Sequence, residues 1–483
     1  MVAYTGIVKM HQYYLHKVLL STGWTTGAFV TVSGEGFITQ IDVAPKHGSK
    51  AVAGTEAING IVVPGMANAH SHAFQRAMAG NTEYRLSARD SFWTWRNAMY
   101  ALANRIEPED LQILATQLFL EMLKSGYTTV AEFHYLHRRQ NGVPYAGANA
   151  LWDAIDHAAR TAGIGLSLLP TLYQTSDFGN QPLKTEQARF ASDTDEFLRA
   201  VEDRIDGERR ASDRRATSKL QRTGVAFHSL RAVPLENLQR AALRLREIDP
   251  GMPLHIHVAE QLLEVKACLR DTGRRPIELL LDNGLLTPHW CLVHATHATP
   301  HELKGIADTQ ASVCVSISTE ANLGDGFFDT TRFFKAGGRL CVGSDSQSTV
   351  SPSEELRWLE YQQRLRKKRR GVLADKAESH VGTRLWRDAA KHGAQAIGQP
   401  AGAIEVGRRA DWLVLDAAHP SMAGAAPDTE LDHLLFAGGD AAIRDVMVAG
   451  RWIIKDRRHE SDEALQPRFA ELMKRLGSPP PIQ

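Results

Sequence analysis

The sequence predicts an α/β fold: a (β/α)8 TIM-type barrel with a small β-sandwich domain built from both chain ends. Two observations predict it. Eight short apolar runs, at 61–63, 128–133, 164–172, 224–227, 254–258, 290–293, 311–315 and 339–342, recur with helix-patterned stretches between them. Strand-and-turn texture broken by glycines precedes the first run and returns after the last. At 483 residues the chain has room for about three domains, or for one large barrel with an accessory domain.

Residues 1–63 give short alternating segments such as Gly27-Ala-Phe-Val-Thr-Val-Ser33 and Gly36-Phe-Ile-Thr-Gln-Ile-Asp-Val43, the N-terminal part of the β-sandwich domain. Residues 64–395 form the barrel, with helices expected at stretches such as 107–125 and 234–248. Residues 396–483 return strands at 402–416, 443–448 and 452–455, complete the sandwich and end on a helix. Hydrophobic residues are 43% and charged residues 23%, the balance of an ordinary globular protein. A chain this long buries a sizeable core without disulfides or structural metals, so a metal site reads as chemical before it reads as structural. Lys plus Arg (56) against Asp plus Glu (55) leaves no electrostatic footprint for nucleic acid. The basic stretches 204–222 and 364–370 read as a solvated loop and a solvated helix end. Cys268, Cys291, Cys314 and Cys341 are far apart and form no C-x-x-C, as expected of reduced thiols in a cytoplasm. No secretory leader and no run of ~18 apolar residues is seen, so a cytoplasmic protein without a membrane partner is expected. A homodimer is the base-rate expectation.

The strongest chemical signal is Ala69-His70-Ser71-His72, just after the first run. Alternate residues of an extended chain point the same way, so His70 and His72 can present two imidazoles to one ion. H-x-H alone is weak, because the chain holds 20 histidines and a second instance at His255-x-His257. Position adds the weight: in such a barrel, chemistry sits at the C-terminal ends of the strands. Run two ends at His134 and Tyr135, and run four at His228-Ser-Leu-Arg231. Run five carries His257-Val-Ala-Glu260, run six ends at His294 and run eight in Gly343-Ser-Asp345. Three neutral imidazoles and a carboxylate hold a zinc-like ion and leave room for water, whose pKa Zn²⁺ brings to about 7. The expectation is one divalent metal, zinc before iron, ligated by His70, His72, His257 and Asp345. Asp345 also takes the water proton, Glu260 shuttles a proton to a leaving amine, and His294 polarises the substrate. A two-metal site would want a bridging lysine at the end of run three or four, and neither has one.

Together these residues resemble the amidohydrolase superfamily over nearly the whole chain. The resemblance rests on the Pro64-Gly-Met-Ala-Asn-Ala-His-Ser-His72 entry, H-x-x-E on run five, the run-eight Asp, and Gly407-Arg-Arg-Ala-Asp-Trp-Leu-Val-Leu-Asp416. Longer strings resemble its formimidoylglutamate deiminase family. They are His70-Ser-His-Ala-Phe-Gln-Arg-Ala-Met-Ala-Gly80, Ser91-Phe-Trp-Thr-Trp-Arg96, Ala131-Glu-Phe-His-Tyr-Leu-His137, His228-Ser-Leu-Arg-Ala-Val233, Thr319-Glu-Ala-Asn-Leu-Gly-Asp-Gly326 and Ser351-Pro-Ser-Glu-Glu-Leu-Arg-Trp-Leu-Glu-Tyr361.

The resemblance implies metal-dependent deimination of N-formimino-L-glutamate to N-formyl-L-glutamate and ammonia, a reaction of histidine degradation. It implies substrate-binding roles for Gln75, Arg96, Tyr135, His228 and Arg231. Such a substrate carries two carboxylates, which guanidinium forks bind bidentately, so Arg96 and Arg231 suit a clamp. Packing against Trp93 or Trp95 is the competing reading of Arg96. The chain departs from the pattern at Ser316-Ile317, where Cys-Pro-Thr is more usual, and at Gln347, where His is more usual; both lie near the expected pocket. One alternative is another amidohydrolase-type deaminase or chlorohydrolase acting on a purine, pyrimidine or triazine ring. That reading wants an apolar stacking pocket in place of the arginines. The other is a non-catalytic metal-binding scaffold, which would have lost ligands.

Overall fold

The computed structural model describes residues 10–43, 54–83, 92–146, 149–212 and 220–477. Eight parallel strands, each hydrogen-bonded to the next, make the barrel. In order they are Met66–Ser71, Tyr127–His134, Gly165–Leu172, Val225–Phe227, Leu254–Val258, Trp290–His294, Ser312–Val315 and Arg339–Val342. A parallel bridge between Ser71 and Asp345 joins the last to the first, and His70 O accepts from Ser344 N (3.1 Å) and Asp345 N (3.0 Å). Gly343 permits that approach: a Cβ there would stand 2.7 Å from both the Cβ and the carbonyl oxygen of His70. The helix between strands one and two, Pro108–Ser125, shows how such elements are bounded. Its start is set by Pro108 and by the Asp110 carboxylate accepting from Glu107 N–H (3.1 Å). Its end is Gly126 at φ 109°.

Seven of the eight expected runs lie on barrel strands; run 61–63 does not. It belongs to Glu56–Pro64, which pairs in parallel with His11–Leu20 and antiparallel with Trp412–Leu415 in the second sheet. Val62 faces that sheet's own core, while Ile61 and Val63 face the barrel side. A strand buried on both faces has the same continuous apolar sequence as a barrel strand. The barrel starts after the bend at Pro64 and Gly65, where a side chain would overlap Thr128. Short strand Gln221–Thr223, not expected, pairs with strand three.

The second sheet runs Arg451–Ile454, Ile443–Val448, Trp412–Leu415, Glu56–Pro64, His11–Leu20, Gly23–Val32, Ile38–Val43, and so is assembled from both chain ends. It curls on itself. Tyr13 and Trp452 lie on strands four steps apart, yet their ring centroids are 6.5 Å apart; at ~4.8 Å per step a flat sheet would separate the strands by ~19 Å. Within the curl Tyr13, Leu15, Val30, Val62, Trp412 and Met447 form a core. Of the expected strand 402–416 only Trp412–Leu415 is extended, and the chain's last described element is the helix Asp462–Leu476. Two buried contacts bind the sheet to the barrel. Trp386 Nε1 donates to Pro64 O (2.9 Å). Arg409 holds Asp411 (2.6 Å) and Gln399 (2.7 Å), and Gln399 in turn donates to Leu166 O of strand three (3.1 Å).

The basic stretches are partly consumed locally. Arg204 forks onto Asp156 (2.6 and 2.9 Å), Arg222 reaches Asp249 and Arg364 reaches Glu360 (2.6 Å); residues 213–219 lie outside the described ones. All four cysteines are buried and free. Among the described residues no helix is long and apolar enough to cross a membrane.

Candidate active site

His70 and His72 leave the end of strand one, His257 strand five and Asp345 strand eight. His72 Nδ1 donates to Phe133 O (2.7 Å) and His257 Nδ1 to His228 O (2.8 Å). A carbonyl only accepts, so each Nδ1 carries the hydrogen and each Nε2 lone pair turns inward. His70 Nε2 stands 3.1 Å from His257 Nε2 and 3.2 Å from Asp345 Oδ1, and His72 Nε2 stands 3.4 Å from the same oxygen. One donor atom from each of the four lies within 4.8 Å of the others, the single such group among the described residues. Ligands ~2.0–2.1 Å from a tetrahedral ion are ~3.3 Å apart, so both spacing and donor types fit a divalent cation.

Burial, with the neighbouring His70, drives the His72 imidazole down to about 3 and holds His257 well below the usual range, so both stay neutral, the form that can donate a lone pair to a cation. Burial alone would raise Asp345, but the imidazoles of His70, His294 and His72 hold it below the ordinary carboxylate range. Asp345 (φ 46°) and His294 (φ 68°) both occupy the left-handed region, as do Ala259 and Gln347 beside them. Such strain in non-glycine residues gathers at sites where geometry is over-determined.

Four polar residues brace this group: Glu132, Glu264 and Glu320, to which the sequence reading gave no role, and Gln347, which it marked only as a departure. Glu132 on strand two accepts from Ser71 Oγ (2.7 Å) and Ala73 N (2.6 Å) and fixes the H-x-H turn; burial pushes its carboxyl up to about 8. Gln347 Nε2 donates to Asp345 O (2.7 Å) and Ser71 Oγ (3.0 Å). Glu264 accepts from the N–H groups of Ala259 (3.1 Å) and Glu260 (3.0 Å). Glu320 accepts from His294 Nδ1 (3.2 Å). Glu132 did leave a signal, a carboxylate in an otherwise apolar strand; Glu264 in a helical first turn left none.

Above the four lies a cavity. His72, His257, Asp345, Glu260 and His294 line its acidic and imidazole side; Gln75, Tyr135, Arg96, His228 and Arg231 line the rest, with Trp95, Met99, Tyr100, Thr319 and Leu323. All the expected site residues therefore meet in one place, His70 lying beneath the cavity against its partners. Glu260 Oε1 and Asp345 Oδ2 flank His294 Nε2 at 3.6 and 3.7 Å. Burial pushes the Glu260 carboxyl up to about 7. Burial would lower His294, but the carboxylates of Glu260, Glu320 and Asp345 outweigh it and carry the ring up to about 10.

Gln75 Nε2 donates to Tyr135 OH (2.9 Å). Arg231 is buried and its Nε has no hydrogen-bond partner; burial would lower its pKa, but the nearby Glu264 and Glu260 carboxylates raise it. The Arg96 guanidinium lies over Tyr100 at 5.6 Å. His255 and His134 stand apart, bonded to Ala396 O (2.9 Å) and Leu136 O (2.8 Å). Ser316, Ile317 and Gln347 are not among the cavity residues.

Comparison with known proteins agrees with this geometry. The model of the amidohydrolase family matches residues 61–453. The chain belongs to the amidohydrolase family. Among its relatives is the formimidoylglutamate deiminase of Pseudomonas aeruginosa, 45% identical over 97% of this chain and all of that one. A 5-methylthioadenosine/S-adenosylhomocysteine deaminase of Natronomonas pharaonis is 25% identical over 82% of each chain. The crystal structure of an amidohydrolase from Brucella melitensis superposes with a TM-score of 0.88 at 38% identity, covering 96% of this chain and 99% of that one. As an amidohydrolase of this kind the chain is a hydrolase of carbon–nitrogen bonds, with a His/His/His/Asp group compatible with a metal ion.

Proposed function

We propose that this amidohydrolase deiminates N-formimino-L-glutamate in the cytoplasm, giving N-formyl-L-glutamate and ammonia, as a step of histidine degradation. The observation that carries the reading is the buried Arg231, its Nε unpartnered, lining with Arg96 the same cavity as His72, His257 and Asp345. A buried guanidinium with an unpartnered N–H is costly unless a ligand supplies an acceptor. Two guanidinium groups lining one cavity suit a dicarboxylate and not a neutral aromatic ring. The likeness to the Pseudomonas deiminase supports the same substrate.

His70, His72, His257 and Asp345 would hold one divalent cation, zinc by donor set. When bound, it supplies Lewis-acid activation of water and substrate. The chain's residues do the rest. Arg231 and Arg96 hold the carboxylates, while Tyr135, Gln75 and His228 position the backbone of the glutamate. Asp345 accepts the proton of the attacking water as its oxygen bonds to the formimino carbon. His294 Nε2 faces the charge that develops there. Glu260, its carboxyl raised by burial, protonates the imino nitrogen as the attack occurs, which leaves a tetrahedral carbon bearing a hydroxyl and an amino group. The proton held by Asp345 then passes to that amino nitrogen while the hydroxyl returns its proton to Glu260; the carbon–nitrogen bond breaks, ammonia leaves and the carbon becomes a formyl carbonyl. The test is ammonia release by purified, metal-analysed protein. N-formimino-L-glutamate is expected to turn over fastest, the formimino-aspartate analogue slower, and guanine and cytosine not at all. Faster release from either nucleobase would contradict the proposal.

A further inference from the structure

We infer that Glu320 is a positioning residue for the reaction: its carboxylate fixes which nitrogen of His294 faces the substrate. The inference rests on the reading of His294 as the group that polarises the substrate. The ring has one hydrogen bond among the described residues, Nδ1 to Glu320 Oε1 (3.2 Å). Its other neighbours, Glu260 and Asp345, stand at 3.6 and 3.7 Å from Nε2, too far to orient it. The backbone gives little help, since strand six ends with His294 itself in the left-handed region. A carboxylate only accepts, so this contact puts a hydrogen on Nδ1 and turns Nε2 into the cavity. A ring rotated by half a turn would show carbon there.

Glu320 is itself built to hold still. It is fully buried on the first turn of the helix Ile317–Leu323, where its backbone N–H donates to Ser316 O (2.9 Å) and its Oε1 accepts from Ser316 N (3.1 Å). It is not among the cavity residues, so it acts through the imidazole. The contrast with the ligand histidines is chemical: His72 and His257 lean on backbone carbonyls, His294 on a side chain that mutation can remove.

The test is a double-mutant cycle on the metal-loaded enzyme, with melting curves and metal content for each variant. Glu320→Ala is expected to lower kcat by about 10–100-fold, the range for residues that orient an active-site histidine, with KM within about twofold. Glu320→Gln keeps an acceptor oxygen opposite Nδ1 and should recover most of the loss; it also serves if the alanine variant fails to fold. The double variant His294→Ala/Glu320→Ala should match His294→Ala within about twofold, because residues acting as a unit are non-additive. A double variant tenfold or more below His294→Ala, or a folded Glu320→Gln as poor as Glu320→Ala, would overturn the inference. His294→Ala with wild-type kcat would overturn it by removing the role of His294, while ammonia release from N-formimino-L-glutamate by the wild type would leave the substrate reading standing.

Discussion

Asp345 sits at a left-handed backbone position (φ 46°), with Oδ1 facing His70 and His72 and Oδ2 facing His294. Asp345→Asn keeps the shape and removes the base, so turnover should fall by about three orders of magnitude or more, measured as ammonia release. Arg231→Ala should raise KM for the dicarboxylate by about 10–100-fold, the loss of a charge-assisted fork, with a smaller change in kcat. Glu132 gives a pH test. Its folded carboxyl is raised to about 8 by burial, so between the ordinary carboxylate range and 8 the folded state holds a proton that the unfolded state has lost. By linkage this group's contribution to stability is present at low pH and is lost as pH rises through that window. Glu132→Gln, which mimics the protonated side chain, should flatten the pH dependence of denaturant unfolding between pH 5 and 8 by up to about 1 kcal/mol per pH unit. An unchanged slope would contradict it. The clustered histidines were legible because they recur at the ends of apolar runs. Glu264 and Glu320 were not, because a carboxylate near a helix start reads the same solvated or buried.

At the level of elements, the site depends on how closely strands one and eight approach. That approach depends on Gly343, where a Cβ would meet His70 at 2.7 Å. Gly343→Ala should cost about 1–3 kcal/mol by overpacking. It should also weaken metal binding by about tenfold, since it pushes His70 away from Asp345. Equilibrium unfolding and metal titration check the two effects separately. Seven barrel strands were legible as apolar runs because both their faces are covered. The same physics misplaces 61–63, whose two faces are buried against two different cores. Pro64 and Gly65 are the only local signs that the chain turns there. Likewise 402–416 reads as strand throughout, yet its first half holds turns and a single antiparallel bridge, Arg409 to Phe37, with the Arg409 side chain buried.

Across the whole molecule, the curled sheet and the barrel are joined by groups that belong to neither core alone. The Arg409–Asp411 pair is fully buried, and Arg409 reaches strand three through Gln399. Arg409→Ala leaves the Asp411 carboxylate uncompensated and should cost about 3–5 kcal/mol in denaturant unfolding. Both chain ends were legible as strand texture, and their assembly into one sheet follows from it; the tie through Arg409 was not, because nothing in Arg-Arg-Ala-Asp says which arginine turns inward. The balanced composition excluded nucleic acid as an expected partner but carries no signal for the cavity's local charge, where Arg231 stands opposite Glu260 and Asp345.

The claim on which the chemistry rests is a single cation held by three imidazoles and one carboxylate. X-ray absorption on the purified, metal-quantified protein tests it most directly. The expected result is one ion per chain, with a shell of nitrogen and oxygen only at ~2.0–2.1 Å, that loses histidine scattering in His257→Ala. A sulfur neighbour at ~2.3 Å, or a second metal at ~3.5–4 Å, would contradict it.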